Sequence, residues 1–246
     1  MKSNLQTVHA GIHPLLTKFT EEMIKEFGDN LSSLLLYGSA AGENFVPDKS
    51  NINLLMVLKE LRFSHLQTYQ KRSLHWKKKG IDPPLICTIE FLEKSKNVFP
   101  IEWLEIISHH VILHGENPFT FSLDPRDIHN QCEKEVREIQ IRLRQAFLET
   151  ENRPEEIERL ALVSLNSVFP ILRSILTLQK EPPPVERTKL IEAFCKKNGL
   201  SPDPFLKLWS IKRGKMIAGE AYLGWFEDYL NQLEGLSSLI DQINLS

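Results

Sequence analysis

Residues Leu31 to Tyr37 form an apolar run that stops at Gly38-Ser39-Ala40-Ala41, and eleven residues after Ser39 the chain resumes with Asn51-Ile52-Asn53 and a second apolar run to Leu58. Two such runs, bounded by small residues and a loop, read as buried strands, so this stretch commits the chain to a sheet. Side chains at i and i+2 of a strand share a face, which places Asn51 and Asn53 together. Glycine has no Cβ and serine adds a hydroxyl, so the backbone amides of a Gly-Ser turn can approach an anion closely. Gly38 and Ser39 are therefore the candidate nucleotide-phosphate ligands. A Gly-Ser pair after a strand is by itself only a tight turn, and its value here comes from the second strand placed behind it.

The flanking pattern supplies the rest of a first domain. Leu15, Leu16, Phe19, Met23, Ile24 and Phe27 recur at helical spacing from His13 to Phe27, ending at Gly28. Phe63 to Lys79 reads as a polar helix closing in Lys77-Lys78-Lys79-Gly80, where cations suit the negative end of the helix dipole and glycine suits the cap. A strand over Pro84 to Ile89, helical pieces at Glu90 to Lys96 and Ile101 to Ser108, and a strand from His110 to Leu113 complete roughly four strands interleaved with helices. The loop from Glu43 to Ser50 joins the first two strands.

Beyond residue 125 the character changes. Asp127 to Asn152 and Pro154 to Gln179 alternate apolar and charged residues at helical spacing, without a strand-like segment. Glu181-Pro182-Pro183-Pro184 interrupts, because consecutive prolines cannot continue a helix. Helices follow at Val185 to Lys197, Asp203 to Lys212 and about Ala218 to Ile243. The expected fold class is α+β, with a small mixed sheet in an α/β-like domain over 1–125 and an all-α helical bundle over 126–246.

Charge and cysteine usage narrow the function classes. Thirty basic against thirty-two acidic residues leave a net charge of -2, which supplies no global field for nucleic acid or an anionic membrane. Cys87, Cys132 and Cys195 are widely spaced and match no ligand spacing, so structural thiols in a cytoplasmic setting are expected. Nowhere do eighteen apolar residues run together, and no membrane span is expected. His109, His110 and His114 have no further ligand spaced with them and read as surface or edge-strand residues. Trp76, Trp103, Trp209 and Trp225 read as packing residues, and Tyr222, Trp225, Phe226 and Tyr229 as the buried stripe of the last helix. Arg142, Arg144 and Arg173 read as exposed partners of nearby glutamates.

The segments Tyr37-Gly38-Ser39-Ala40-Ala41-Gly42 and Ser50-Asn51-Ile52-Asn53-Leu54-Leu55 resemble the nucleotidyltransferase domain of the polymerase-beta superfamily, particularly its small bacterial and archaeal members. Phe99-Pro100-Ile101-Glu102-Trp103-Leu104 and Val111 to Pro118 look like the end of that domain in bacterial relatives. The likeness covers about half of the chain. The helical half looks like the bundle of two-domain aminoglycoside nucleotidyltransferases or of fusions with HEPN-type domains. HEPN ribonucleases carry an arginine and a histidine five positions apart on one helix, and no such pair occurs here, His129 being the one histidine of that half. A ribonuclease role is disfavoured.

The resemblance implies chemistry on a nucleoside triphosphate: attack at the α-phosphorus with loss of pyrophosphate, in which positioning and charge neutralisation do the catalysis. Active relatives hold magnesium on aspartates at the positions of Asn51 and Asn53, use a later strand carboxylate on the nucleophile, and cradle the triphosphate with the Gly-Ser turn. Each lost charge removes about 8 kcal/mol of gross attraction for a divalent ion at about 4 Å and an effective dielectric of about 20. Glu43 and Asp48 lie in the loop outside the register of the two amides, and Glu90, at the end of a later strand, is the auxiliary acid. Two functions follow as expectations. One is a catalytically degenerate pseudoenzyme with no resident metal, binding a nucleotide at Gly38 and Ser39 or a protein partner through the helical domain. The other is a working transferase that uses magnesium and a nucleoside triphosphate to modify a small molecule or a protein.

Overall fold

A computed structural model describes residues 5–42, 45, 50–214 and 222–244. The chain divides into two compact units, Met1–Leu123 and Asp124–Ser246.

The first unit contains α1 (His13–Phe27), β1 (Leu31–Tyr37), β2 (Asn53–Leu58), α2 (Phe63–Lys77), β3 (Leu85–Thr88), α3 (Ile89–Ser95), α4 (Pro100–Ser108) and β4 (His110–Gly115). The strands form one sheet in the order β3-β2-β1-β4. β1 runs antiparallel to both β2 and β4, whereas β2 and β3 are parallel, so the sheet is mixed. Parallel neighbours require a crossover, and α2 provides it.

Alternation along the strands explains the consecutive apolar residues at their centres. Leu34, Leu36, Leu54 and Met56 pack with Leu16, Phe19, Met23 and Trp76 in one cluster. Leu35, Leu55 and Val57 pack with Leu92, Trp103 and Ile106 in the other. A sheet covered on both faces needs hydrophobic residues at both parities, and each fully buried leucine contributes about 2 kcal/mol. At the end of β4, Gly115 has φ +73°, and a Cβ there would lie 1.9 Å from the Ser32 carbonyl oxygen. The backbones approach too closely for a side chain.

The second unit is helical: α5 (Pro125–Phe147), α6 (Pro154–Leu178), α7 (Arg187–Asn198), α8 (Asp203–Lys212) and α9 (Tyr222–Asp241). Asp124 caps α5 by accepting from Arg126 N at 2.8 Å, and Glu186 caps α7 by accepting from Thr188 N and Lys189 N. Gly199, left-handed at φ 68°, ends α7. α6 is long and apolar enough by composition to cross a membrane, although charged and polar residues interrupt its apolar run, and 56% of that stretch is buried inside the protein. Ile157, Leu165, Val168 and Leu172 mark it as the central helix of the bundle. Tyr222, Trp225, Phe226 and Tyr229 are buried as the stripe predicts, and the Tyr229 hydroxyl meets Ser164 Oγ at 2.7 Å. The helix expected from Ala218 is described from Tyr222, residues 218–221 lying outside the described ones.

Candidate functional site

Strand pairing brings the Gly-Ser turn to the amides. Tyr37 stands opposite Asn53 across β1 and β2, so the turn that follows Tyr37 begins beside the start of β2. Gly38 has φ +74°, and a Cβ on it would lie 3.1 Å from Asn53 Nδ2. The backbone conformation favours glycine, and a side chain here would also crowd the Asn53 amide. Ser39 follows in a short 3-10 turn whose Ala40 and Ala41 are buried. Gly42 closes the turn against His109, whose Nε2 would lie 2.3 Å from a Cβ added there.

Asn51 meets a carboxylate that sequence reasoning did not single out. Its Nδ2 donates to Asp82 Oδ2 at 2.8 Å. Parallel pairing accounts for the meeting, because it sets the starts of β2 and β3 side by side. Ile52 bridges to Ile81, Ile52 N donates to Gly80 O at 2.8 Å, and Asp82 N donates to Ile52 O at 3.1 Å. The signal for Asp82 was the strand-helix-strand order itself: a crossover through α2 places residues just before each strand at the same end of the sheet.

Two tyrosines complete the polar surroundings. Burial, reinforced by the negative charge of Asp82, raises the Tyr37 phenol above its usual range and pushes Tyr69 up to about 12. Both therefore remain neutral at physiological pH, able to donate a hydrogen bond. The Tyr69 hydroxyl is buried and has no hydrogen-bond partner among the described residues.

Glu90 requires a correction. It follows β3, whose last residue Thr88 pairs with Leu58 at the far end of β2, so it lies at the end of the sheet opposite Asn51 and Asn53. There it forms an exposed ion pair with Lys94 at 2.5 Å and lines an open groove of about 670 Å³ with Ser32, Leu58 and Phe91. A carboxylate after the strand was sought where the parallel direction puts one before it. Glu43 and Asp48 lie outside the described residues.

Among the described residues, the donor set falls short of what a magnesium ion takes. Magnesium demands several hard anionic oxygens in octahedral array. The described residues offer two neutral amides and one carboxylate, and that carboxylate already accepts from Asn51. Among the described residues no three His, Cys, Asp or Glu side chains converge in a metal-binding group. Of the histidines at the end of this unit, His110 is engaged by the backbone, its Nδ1 lying 2.8 Å from the Ile106 carbonyl oxygen. Of the three arginines in the helical unit, Arg142 pairs with Glu138 and Arg144 with Glu234, whereas Arg173 Nη1 donates to the Pro184 carbonyl at 3.0 Å.

No family model matches the sequence, and no curated protein matches it. Among solved structures, that of spectinomycin adenyltransferase AAD(9) from Enterococcus faecialis, determined with ATP and spectinomycin, is similar to this chain with a TM-score of 0.57 and 10% sequence identity. The similarity covers 93% of this chain and 99% of that one. At this identity the likeness is one of architecture, and with the mixed sheet and the helical unit it establishes that this chain has the nucleotidyltransferase fold.

Proposed function

We propose that this chain binds a nucleotide on a nucleotidyltransferase scaffold and has lost metal-dependent transfer, serving as a nucleotide-binding or protein-interaction module. The observation that carries this reading is the contact of Asn51 Nδ2 with Asp82 Oδ2 at 2.8 Å. Where an active site of this type needs a cluster of anionic oxygens, a neutral amide donates to a carboxylate. Gly38 and Ser39 keep the backbone turn that can receive phosphate, and the architectural neighbour determined with ATP supports a nucleotide as the ligand. The buried thiols of Cys87, Cys132 and Cys195 support placement in a reducing compartment such as the cytoplasm.

Asp82 also favours a second reading, an active transferase that moves a nucleoside monophosphate to a small molecule or protein with Asp82 as its carboxylate. Titration calorimetry with ATP, followed by a pyrophosphate-release assay in magnesium, separates the two. The expected result is ATP binding without pyrophosphate release. Metal-dependent release that disappears in Asp82→Asn would establish the second reading in place of the first.

A further inference from the structure

We infer that the nucleotide is held without a divalent cation, its phosphate charge being met instead by the lysine turn Lys77-Lys78-Lys79 that abuts the start of β2. This inference rests on the nucleotide-binding reading and specifies the form of the ligand that the site takes.

Backbone geometry places the turn. Gly80, which ends the lysine run, accepts from Ile52 N at 2.8 Å, and Ile52 lies between Asn51 and Asn53. The turn is itself fixed, since Gly80 N donates to Lys77 O at 3.0 Å and Ile81 N donates to Trp76 O at 3.1 Å. The three lysines are exposed, and among the described residues none of them pairs with a carboxylate. Lys79 Nζ sits 5.2 Å from the centre of the Trp76 ring, a cation–π contact that holds its ammonium beside the turn. Three cations are thereby stitched to the same strand end as two amides that carry no charge.

The buried Tyr69 hydroxyl, midway along α2, is a polar group of this unit that a ligand oxygen could satisfy. Tyr69 is 5% exposed, its hydroxyl has no hydrogen-bond partner among the described residues, and the charge of Asp82 acts on it. A buried hydroxyl without a partner costs about 1–3 kcal/mol, which an acceptor oxygen on a ligand would recover.

The arrangement divides the work differently from a metal site. Asn51 and Asn53 present amides that hydrogen-bond to neutral or anionic groups, and the lysines supply charge as point cations. Stabilising the negative end of α2 is the ordinary role of such lysines, and it would affect stability without affecting ligand affinity.

The test is calorimetry of the full chain with ATP, ADP and AMP in EDTA and again in magnesium, repeated on the triple variant Lys77→Gln, Lys78→Gln, Lys79→Gln and on each single variant. ATP is expected to bind in EDTA within about threefold of its affinity in magnesium, and ahead of ADP and AMP. The triple variant should bind about tenfold more weakly, and Lys94→Gln, at the other end of the sheet, should bind unchanged. Circular dichroism and melting establish that each variant is folded, and the single variants carry the test if the triple is not. Binding that requires magnesium overturns this inference while leaving the nucleotide-binding reading intact. Equal affinity in the lysine variants, or no preference for the more highly charged nucleotide, also overturns it. Absence of ATP binding in both buffers overturns the reading of the site itself.

Discussion

At the scale of single residues, the difference between a binding site and a metal site is the difference between an amide nitrogen and a carboxylate oxygen at position 51. Asn51→Asp would turn a 2.8 Å donor-acceptor contact with Asp82 into two facing carboxylates. Because Asn51 is exposed, solvent screens most of the repulsion, and the expected cost in EDTA is about 1 kcal/mol, seen as a Tm lower by a few degrees. Magnesium should then restore the melting temperature of the variant and leave the wild type unchanged in differential scanning fluorimetry. A variant indifferent to magnesium would show that the two side chains do not share a site. The turn at Gly38-Ser39 was legible because a strand that breaks at small residues follows a local backbone rule. Asp82 was not, because nothing in Ile81-Asp82-Pro83-Pro84 announces a neighbour thirty-one positions away. Its placement depends on which strands pair and in which direction.

At the scale of elements, sequence pattern located nearly every helix and strand of the described residues. β1 covers Leu31–Tyr37 and α8 covers Asp203–Lys212, the limits that apolar periodicity assigns to them. α1 also keeps its expected limits, most other boundaries shift by a residue or two, and α5 ends at Phe147, five residues before the expected Asn152; hydrogen bonding, which periodicity does not report, decides such ends, and Ile52, expected inside β2, is instead an isolated bridge before it. Strand order was invisible for a related reason, since buried strands carry the same apolar signature in any order, and this misassigned Glu90. The cap of α7 yields an element-scale prediction. Burial works against the charge of Glu186, but the N–H groups of Thr188 and Lys189 outweigh it and hold the carboxyl below its ordinary value of 4.5. A depressed carboxyl contributes stability above its unfolded value and loses that contribution as pH falls through the folded one. Glu186→Gln should therefore be less stable than wild type near neutral pH by about 1 kcal/mol, with the two converging under acid in urea titrations. A constant difference across that range would show that the cap does not depend on ionisation.

At the scale of the whole molecule, the division at Leu123 separates two units, each with a dense set of contacts of its own. Every described member of the candidate site, from Tyr37 to His109, belongs to the first. Residues 1–123 produced alone should give a cooperative thermal transition and retain ATP binding within about tenfold of the full chain, measured by calorimetry. Loss of binding by a folded fragment would assign part of the recognition to the helical unit. The parallel pairing of β2 with β3 has a consequence for synthesis as well. The Gly-Ser turn and both amides leave the ribosome ahead of Asp82, and the carboxylate reaches Asn51 only after the chain has looped through α2 and laid Ile81 beside Ile52. Closing that loop is entropically slower than pairing adjacent antiparallel strands. A nascent chain halted before residue 80 already carries the Gly-Ser turn and both amides but not Asp82, so the contact of Asn51 with Asp82 forms only once the crossover is complete.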